Sequence, residues 1–258
     1  ILVILILWKY GLFEMFSQSV NFLNNDNICQ KLKKVGYPYS SKDLFLRNIP
    51  VIYHDKISEY YCNKLKKLST EDKNAFIWLV RILKQKIIKH NSKYAFILDN
   101  FNIAVFSNDV DNGYPHTNSD IVFFHTWFVD KLKQFKESNN ITQAINQCGS
   151  ILIHELFHIC QRKMQKLFND FYIESWNFSK PNKIENKHLI DMNIRYNPDG
   201  PDTNWIFDNS ILIVSLYNQY AKNIGNVDYL GIYVDNQLNN NFKIPQYYNS
   251  DRLTDIIK

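Results

Sequence analysis

Ser150-Ile-Leu-Ile-His-Glu-Leu-Phe-His-Ile-Cys160 is the stretch that decides how this chain is read. It lies inside the densest apolar helical pattern of the sequence, residues 141 to 167. There Ala144, Ile145, Cys148, Ile151, Leu152, Leu156, Ile159, Cys160 and Met164 cover more than one face. A helix apolar nearly all round is expected to be buried. His154 and His158 are four residues apart, which puts both imidazoles on one helix face, about one turn from each other. Two neutral imidazole nitrogens at that spacing can reach one zinc ion. Glu155 is rotated by about 100° from His154, so its carboxylate can approach a metal-bound water without ligating the metal. With 7 His and 7 Glu in 258 residues, this arrangement arises somewhere by composition alone in about 0.5% of such chains. Two His and a Glu in a buried helix are costly unless paired or metal-bound. The competing expectation is a pair of core histidines satisfied by hydrogen bonds.

The pattern is the HExxH of zinc peptidases, and zinc needs a third protein ligand beside an open position. The metzincin continuation requires Gly three and His six residues after the second His. Gln161 and Met164 stand there and exclude it. Asp170 and Glu174 are the acidic candidates downstream, with Glu185 and His188 as weaker ones. Glu174 sits in Phe171-Tyr-Ile-Glu-Ser-Trp-Asn-Phe178, far enough from His158 for one helix to end and a second to return.

That segment resembles the glutamate helix of the gluzincins, the thermolysin-like branch of zinc metallopeptidases. The resemblance implies a zincin-like α+β fold, a small twisted and mainly antiparallel sheet packed on a buried HExxH helix. It implies zinc (Zn2+) held by His154, His158 and Glu174, with Glu155 as general base. It also implies a downstream donor for the oxyanion, for which Tyr196 and Arg195 are preferred over His188 and Tyr217. In such folds an edge strand just before the metal helix pairs with extended substrate, and Ile121 to His125 is the candidate. The sequence departs from the subgroups: it lacks the Gly-x-Met-Glu-Asn aminopeptidase signature, and Phe178 stands where the thermolysin type has an Asp that orients a zinc histidine. The Asn-rich composition, the HELxH helix and an Arg-x-Asn-Pro-Asp loop are also similar to uncharacterised metallopeptidase-like proteins of giant viruses.

Outward from the motif, Ile121 to His125 reads as a strand and 127 to 137 as a short helix broken at Asn139-Asn140. Tyr94 to Leu98 and Ile103 to Phe106 are apolar runs either side of a turn-like interval and are expected to form a hairpin. Residues 12 to 35, 57 to 67 and 71 to 90 are helical in pattern, the last capped by Ser69 and burying Phe76, Ile77, Val80, Leu83, Ile87 and Ile88. These patterns predict a mainly helical region over 1–90 and a catalytic region over 91–258, the two forming one continuous domain or not. Downstream, 168 to 178 reads as a helix ended by Pro181. Ile211 to Leu216 and Leu230 to Val234 are short apolar runs beyond a turn-rich loop at Asn197 to Asp202.

A hydrophobic fraction of 45% with 15% aromatics describes a packed globule, not a disordered chain. The net charge of +5 comes from 25 Lys and only 5 Arg, in a chain with 32 Asn. Such bias follows from an AT-rich coding sequence, and the basic stretches alternate with apolar residues as solvated helix faces do. No nucleic-acid partner is therefore expected, and the expected partner is a protein or peptide substrate. The four cysteines contain no CxxC. Cys148 and Cys160 on one straight helix would lie about 18 Å apart, beyond disulfide reach, whereas Cys29 with Cys62 is left open. Ile1 to Trp8 are apolar but too few to span a bilayer. They read as a buried strand or first helical turn, or as the remnant of a membrane anchor upstream of residue 1. Localisation stays open between virion-associated, secreted and membrane-anchored. The first function expected is a zinc endopeptidase; the alternative is a non-catalytic structural or virion-associated protein that keeps the fold.

Overall fold

In the computed structural model, residues 20–179, 195, 197, 199, 205–208, 211–218 and 220–233 are described. The chain divides into two compact units. The first takes Ile1–Tyr37 and Ile49–Met164, the second Pro38–Asn48 and Gln165–Lys258. The boundary expected at residue 90 falls inside the first unit, because the helix that ends there belongs to the core carrying the motif.

In the first unit, α1 (Asn25–Leu32) starts where the Asn24 side chain accepts the Asn27 N–H at 2.8 Å. A disulfide joins Cys29 on α1 to Cys62 on α3 (Ile57–Lys64); the intervening α2 (Ser41–Leu46) belongs to the second unit. The long helix α4 (Thr70–Asn91) opens with a capping box, Ser69 and Asp72 each bonding the other's backbone N–H. Its buried face is Ala75, Phe76, Trp78, Leu79, Ile82 and Leu83. The expected face was rotated from this: Phe76 and Leu83 are buried, but Ile77 and Ile88 are half exposed. Trp78 and Leu79 lie between the apolar positions chosen from the periodicity, and their burial fixes which side faces inward.

The sheet of this unit has the order β1-β3-β2, with β1 (Asn102–Phe106), β2 (His116–Asn118) and β3 (Ile121–His125). β1 runs parallel to β3, and β2 antiparallel to it. Every residue of β1 and β3 is buried, as expected of strands covered on both faces. The expected hairpin does not form. Residues Ser92–Leu98 make a 3-10 helix started by the Asn91 side chain. The partners of β1 are already supplied, by β3 on one side and on the other by Asn21 and the chain at residues 64 to 66, whose Lys66 N–H donates to Val105 O at 2.8 Å.

Helix α5 (Thr126–Glu137) follows β3 directly. Phe124 and Phe128 stack with centroids 4.0 Å apart, and Phe76 of α4 packs on both. Burying each such ring contributes about 1.5–3 kcal/mol. Asn139 takes a left-handed φ of 48° and Asn140 caps the next helical stretch, so the break expected there is present.

In the second unit, α2 (Ser41–Leu46) has its own capping box between Ser40 and Asp43. Helix α7 (Gln165–Trp176) leads into an antiparallel sheet, β4 (Phe178–Ser179), β5 (Trp205–Phe207), β6 (Ile211–Tyr217) and β7 (Val227–Tyr233), in that spatial order. A small core gathers Leu46, Tyr217, Ala221 and Ile224. The α+β class is therefore present, with one mixed and one antiparallel sheet. Among the described residues no helix is long and apolar enough to cross a membrane, and the apolar run 1–8 lies outside those residues.

Candidate metal centre

The helix carrying the motif is not one straight α-helix. Ile141–Gln143 makes a single α turn, Ala144–Gly149 a π turn, and α6 (Ser150–Lys163) follows without interruption. At the junction Gly149 packs closely on α4, where a Cβ would come within 2.8 Å of a methyl of Leu83. The far end of α6 is anchored by its basic last turn. Arg162 donates to Ser119 O through Nε at 3.2 Å and Nη2 at 3.0 Å, and Lys163 donates to Asn100 O at 2.9 Å. Cations in the last turn also suit the negative end of the helix dipole.

α6 buries one face: Leu152, Glu155, Leu156 and Ile159. The expectation of burial all round is corrected here, since His154 is exposed and His158 only half buried. The desolvation argument for the two histidines therefore fails, and it holds for Glu155, which is 4% exposed. His154, His158 and Gln161 follow one another at i, i+4 and i+7 along the outer stripe of the helix.

Nε2 of His154 and Nε2 of His158 stand 3.2 Å apart, with the rings nearly perpendicular at 87°. Two nitrogens bound tetrahedrally to one zinc at about 2.0–2.1 Å are about 3.4 Å apart. The pair thus fits a shared ion. Nδ1 of His158 lies 2.9 Å from Oε1 of Gln161. Among the described residues no group of three or more His, Cys, Asp or Glu side chains is gathered so that it could hold a metal ion.

Comparisons with known protein families, with curated proteins and with solved structures give no match.

The remaining expected site residues are distributed as follows. Glu174 is on α7, in the second unit, and exposed, while its neighbours Tyr172 and Trp176 stack on each other. The aromatic residues flanking Glu174 in sequence thus pack on each other. Asp170 pairs with Lys166 at 2.8 Å on the same helix. Arg195 is in the second unit, where its N–H donates to Ser215 O at 2.9 Å. Tyr217 donates its hydroxyl to Asp43 Oδ1 at 2.7 Å inside that unit's core. Burial, then the Asp43 charge, pushes its pKa well above the usual phenol range. Tyr196, Glu185 and His188 lie outside the described residues. Ile121 to His125, expected as the edge strand, is the central strand of its sheet, and β2 is an outer one that packs near α6. The hydrophobicity of 121 to 125 reflects cover on both faces, which an edge does not need.

A second polar cluster in the first unit was not legible as a group. Asp111 is buried and accepts the Tyr61 hydroxyl on both oxygens at 3.1 Å. His116 Nδ1 is 3.6 Å from Asp111 Oδ2. His116 stacks with both Phe106 and Phe123, which also stack on each other, and His125 is buried beside Phe106. Burial, reinforced by His116, lowers the pKa of His125 to about 4. Asp111 and Asn112 both hold left-handed φ values, 46° and 56°. Asn and Asp tolerate that region best among residues with a side chain, and Gly113 follows with a φ of 76°. Cys148 and Cys160 are unbridged, and burial pushes both thiols up to about 11.

Proposed function

We propose that this chain is a zinc-dependent peptidase, acting as an endopeptidase on protein or peptide substrates. The observation that carries this is the convergence of two imidazole Nε2 atoms 3.2 Å apart, next in sequence to a buried carboxylate. His154 and His158 would hold the ion through Nε2. The sequence spacing nominates Glu174 as the third ligand. Zinc in such a site lowers the pKa of water toward about 7 and polarises a carbonyl. The Glu155 carboxylate takes a proton from the attacking water and delivers it to the leaving amine. Arg195 and Tyr196 are the donors the gluzincin resemblance nominates for the oxyanion.

The test is metal content by plasma mass spectrometry on the purified chain, His158→Ala and Glu174→Ala. About one zinc per chain in the first, lost in both variants, supports the full ligand set. Loss in His158→Ala alone retains the histidine pair and dismisses Glu174. No zinc in the parent chain after refilling defeats the proposal. Cleavage of a peptide library by the parent, absent in Glu155→Gln with its zinc retained, separates catalysis from a metal-binding structural role.

A further inference from the structure

The contact between His158 and Gln161 fixes more than a ring orientation. An amide oxygen only accepts hydrogen bonds. The 2.9 Å approach of Gln161 Oε1 to Nδ1 therefore requires the proton on Nδ1. A neutral imidazole with its proton on Nδ1 has its lone pair on Nε2, the atom that faces His154 at 3.2 Å. In the metal-free chain, His154 must then supply the proton of that short contact, through its own Nε2–H. The arrangement is carried by one helix: the acceptor at 161, the ring at 158 and the second ring at 154 occupy successive turns of α6.

We propose that Gln161 is the positioning residue of this centre, holding His158 in the Nδ1–H tautomer with its Nε2 lone pair presented to the ion. Its purpose rests on the zinc proposal above, whereas its effect on the tautomer does not. A neutral amide polarises the ring less than a carboxylate would, so the device orients the ligand while raising its basicity only slightly. A carboxylate at the same position would make His158 the stronger ligand. Replacing the acceptor by an apolar group of similar size removes the contact that fixes the proton on Nδ1.

The experiment uses the full chain, labelled with 15N and free of metal, and reads the imidazole nitrogens of His158 by long-range proton–nitrogen correlation. The parent chain is expected to show a protonated Nδ1 and a bare Nε2. Gln161→Leu is expected to shift His158 to a mixture or to the Nε2–H form, and Gln161→Glu to restore the parent pattern. In parallel, chelator competition with zinc alone should give about 10- to 100-fold weaker binding for Gln161→Leu, with parent or tighter binding for Gln161→Glu. Should the leucine variant fail to fold by circular dichroism, Gln161→Asn serves, because its amide is one methylene too short to reach the ring. An Nε2–H tautomer in the parent chain overturns the proposal. So does a tautomer and zinc affinity unchanged in the Leu or Asn variant. A tautomer that follows residue 161 in a chain that takes up no zinc upholds the positioning role and defeats the zinc proposal.

Discussion

The first unit holds two pairs of histidines that solve opposite problems. His154 and His158 lie on the outer stripe of α6, near water, with their Nε2 atoms turned toward a common point. His116 on β2 and His125 on β3 are buried among phenylalanine rings, and His116 lies beside the Tyr61–Asp111 pair. An exposed imidazole loses little by standing ready for an ion. At His125 burial penalises the charge and lowers the pKa. Residue type alone therefore says little about the role of a histidine here; the solvent around it decides.

The comparison can be broken at several places. The largest effect should come from Glu155→Gln, which removes the proposed base while keeping the shape of the side chain. Peptide cleavage is expected to fall by about 10²–10⁴-fold with zinc content unchanged. A parallel loss of zinc and activity would mean that the variant had disturbed the helix and not the chemistry.

Of the buried residues, His125 should instead be visible in acid. His125 has its pKa lowered to about 4 in the folded chain, against about 6.5 when free. Between those values the unfolded chain takes up a proton that the folded chain refuses. The stabilisation is thus complete above about pH 6.5 and falls as the pH drops toward 4, by about 3 kcal/mol in all. Urea midpoints across this range should show the slope, and His125→Phe should flatten it. An unchanged slope in that variant would assign the acid sensitivity to other groups.

Tyr61→Phe removes the hydroxyl that serves both oxygens of Asp111 and leaves a buried carboxylate less well satisfied. A loss of about 1–3 kcal/mol is expected in denaturant unfolding. The smallest effect belongs to the outer pair: His154→Ala should change stability by no more than about 0.5 kcal/mol, measured on the metal-free chain. A larger loss would show that His154 holds the fold together, and the contrast between the two pairs would collapse.

Much of the local structure was readable. The Ser69 cap, the break at Asn139-Asn140 and the strand Ile121–His125 follow from side-chain chemistry that acts within a few residues. The burial of the motif helix was misread for an identifiable reason. Ala144, Cys148, Leu152 and Leu156 are all buried at four-residue intervals. On a straight α-helix that spacing drifts by about 40° per step, which makes the apolar surface look wider than one face. The π turn at Ala144–Gly149 widens the winding and keeps these residues directed at the core. The hairpin failed because the pairing choices of Ile103 to Phe106 depend on Asn21 and Leu65, distant in sequence. The histidine pair was legible from its spacing, whereas Gln161 registered only as the absence of a glycine. Its role is a contact between side chains, which no helical period announces.

The Cys29–Cys62 bond also carries a consequence for how the chain is made. It closes a stretch of 33 residues between α1 and α3, and cross-links of that kind typically stabilise by about 2–4 kcal/mol. A reducing cytosol keeps thiols apart. A batch produced there would begin without this clasp, and one produced in an oxidising compartment would begin with it. Two preparations of identical sequence could therefore differ in melting temperature before any ion or substrate is added.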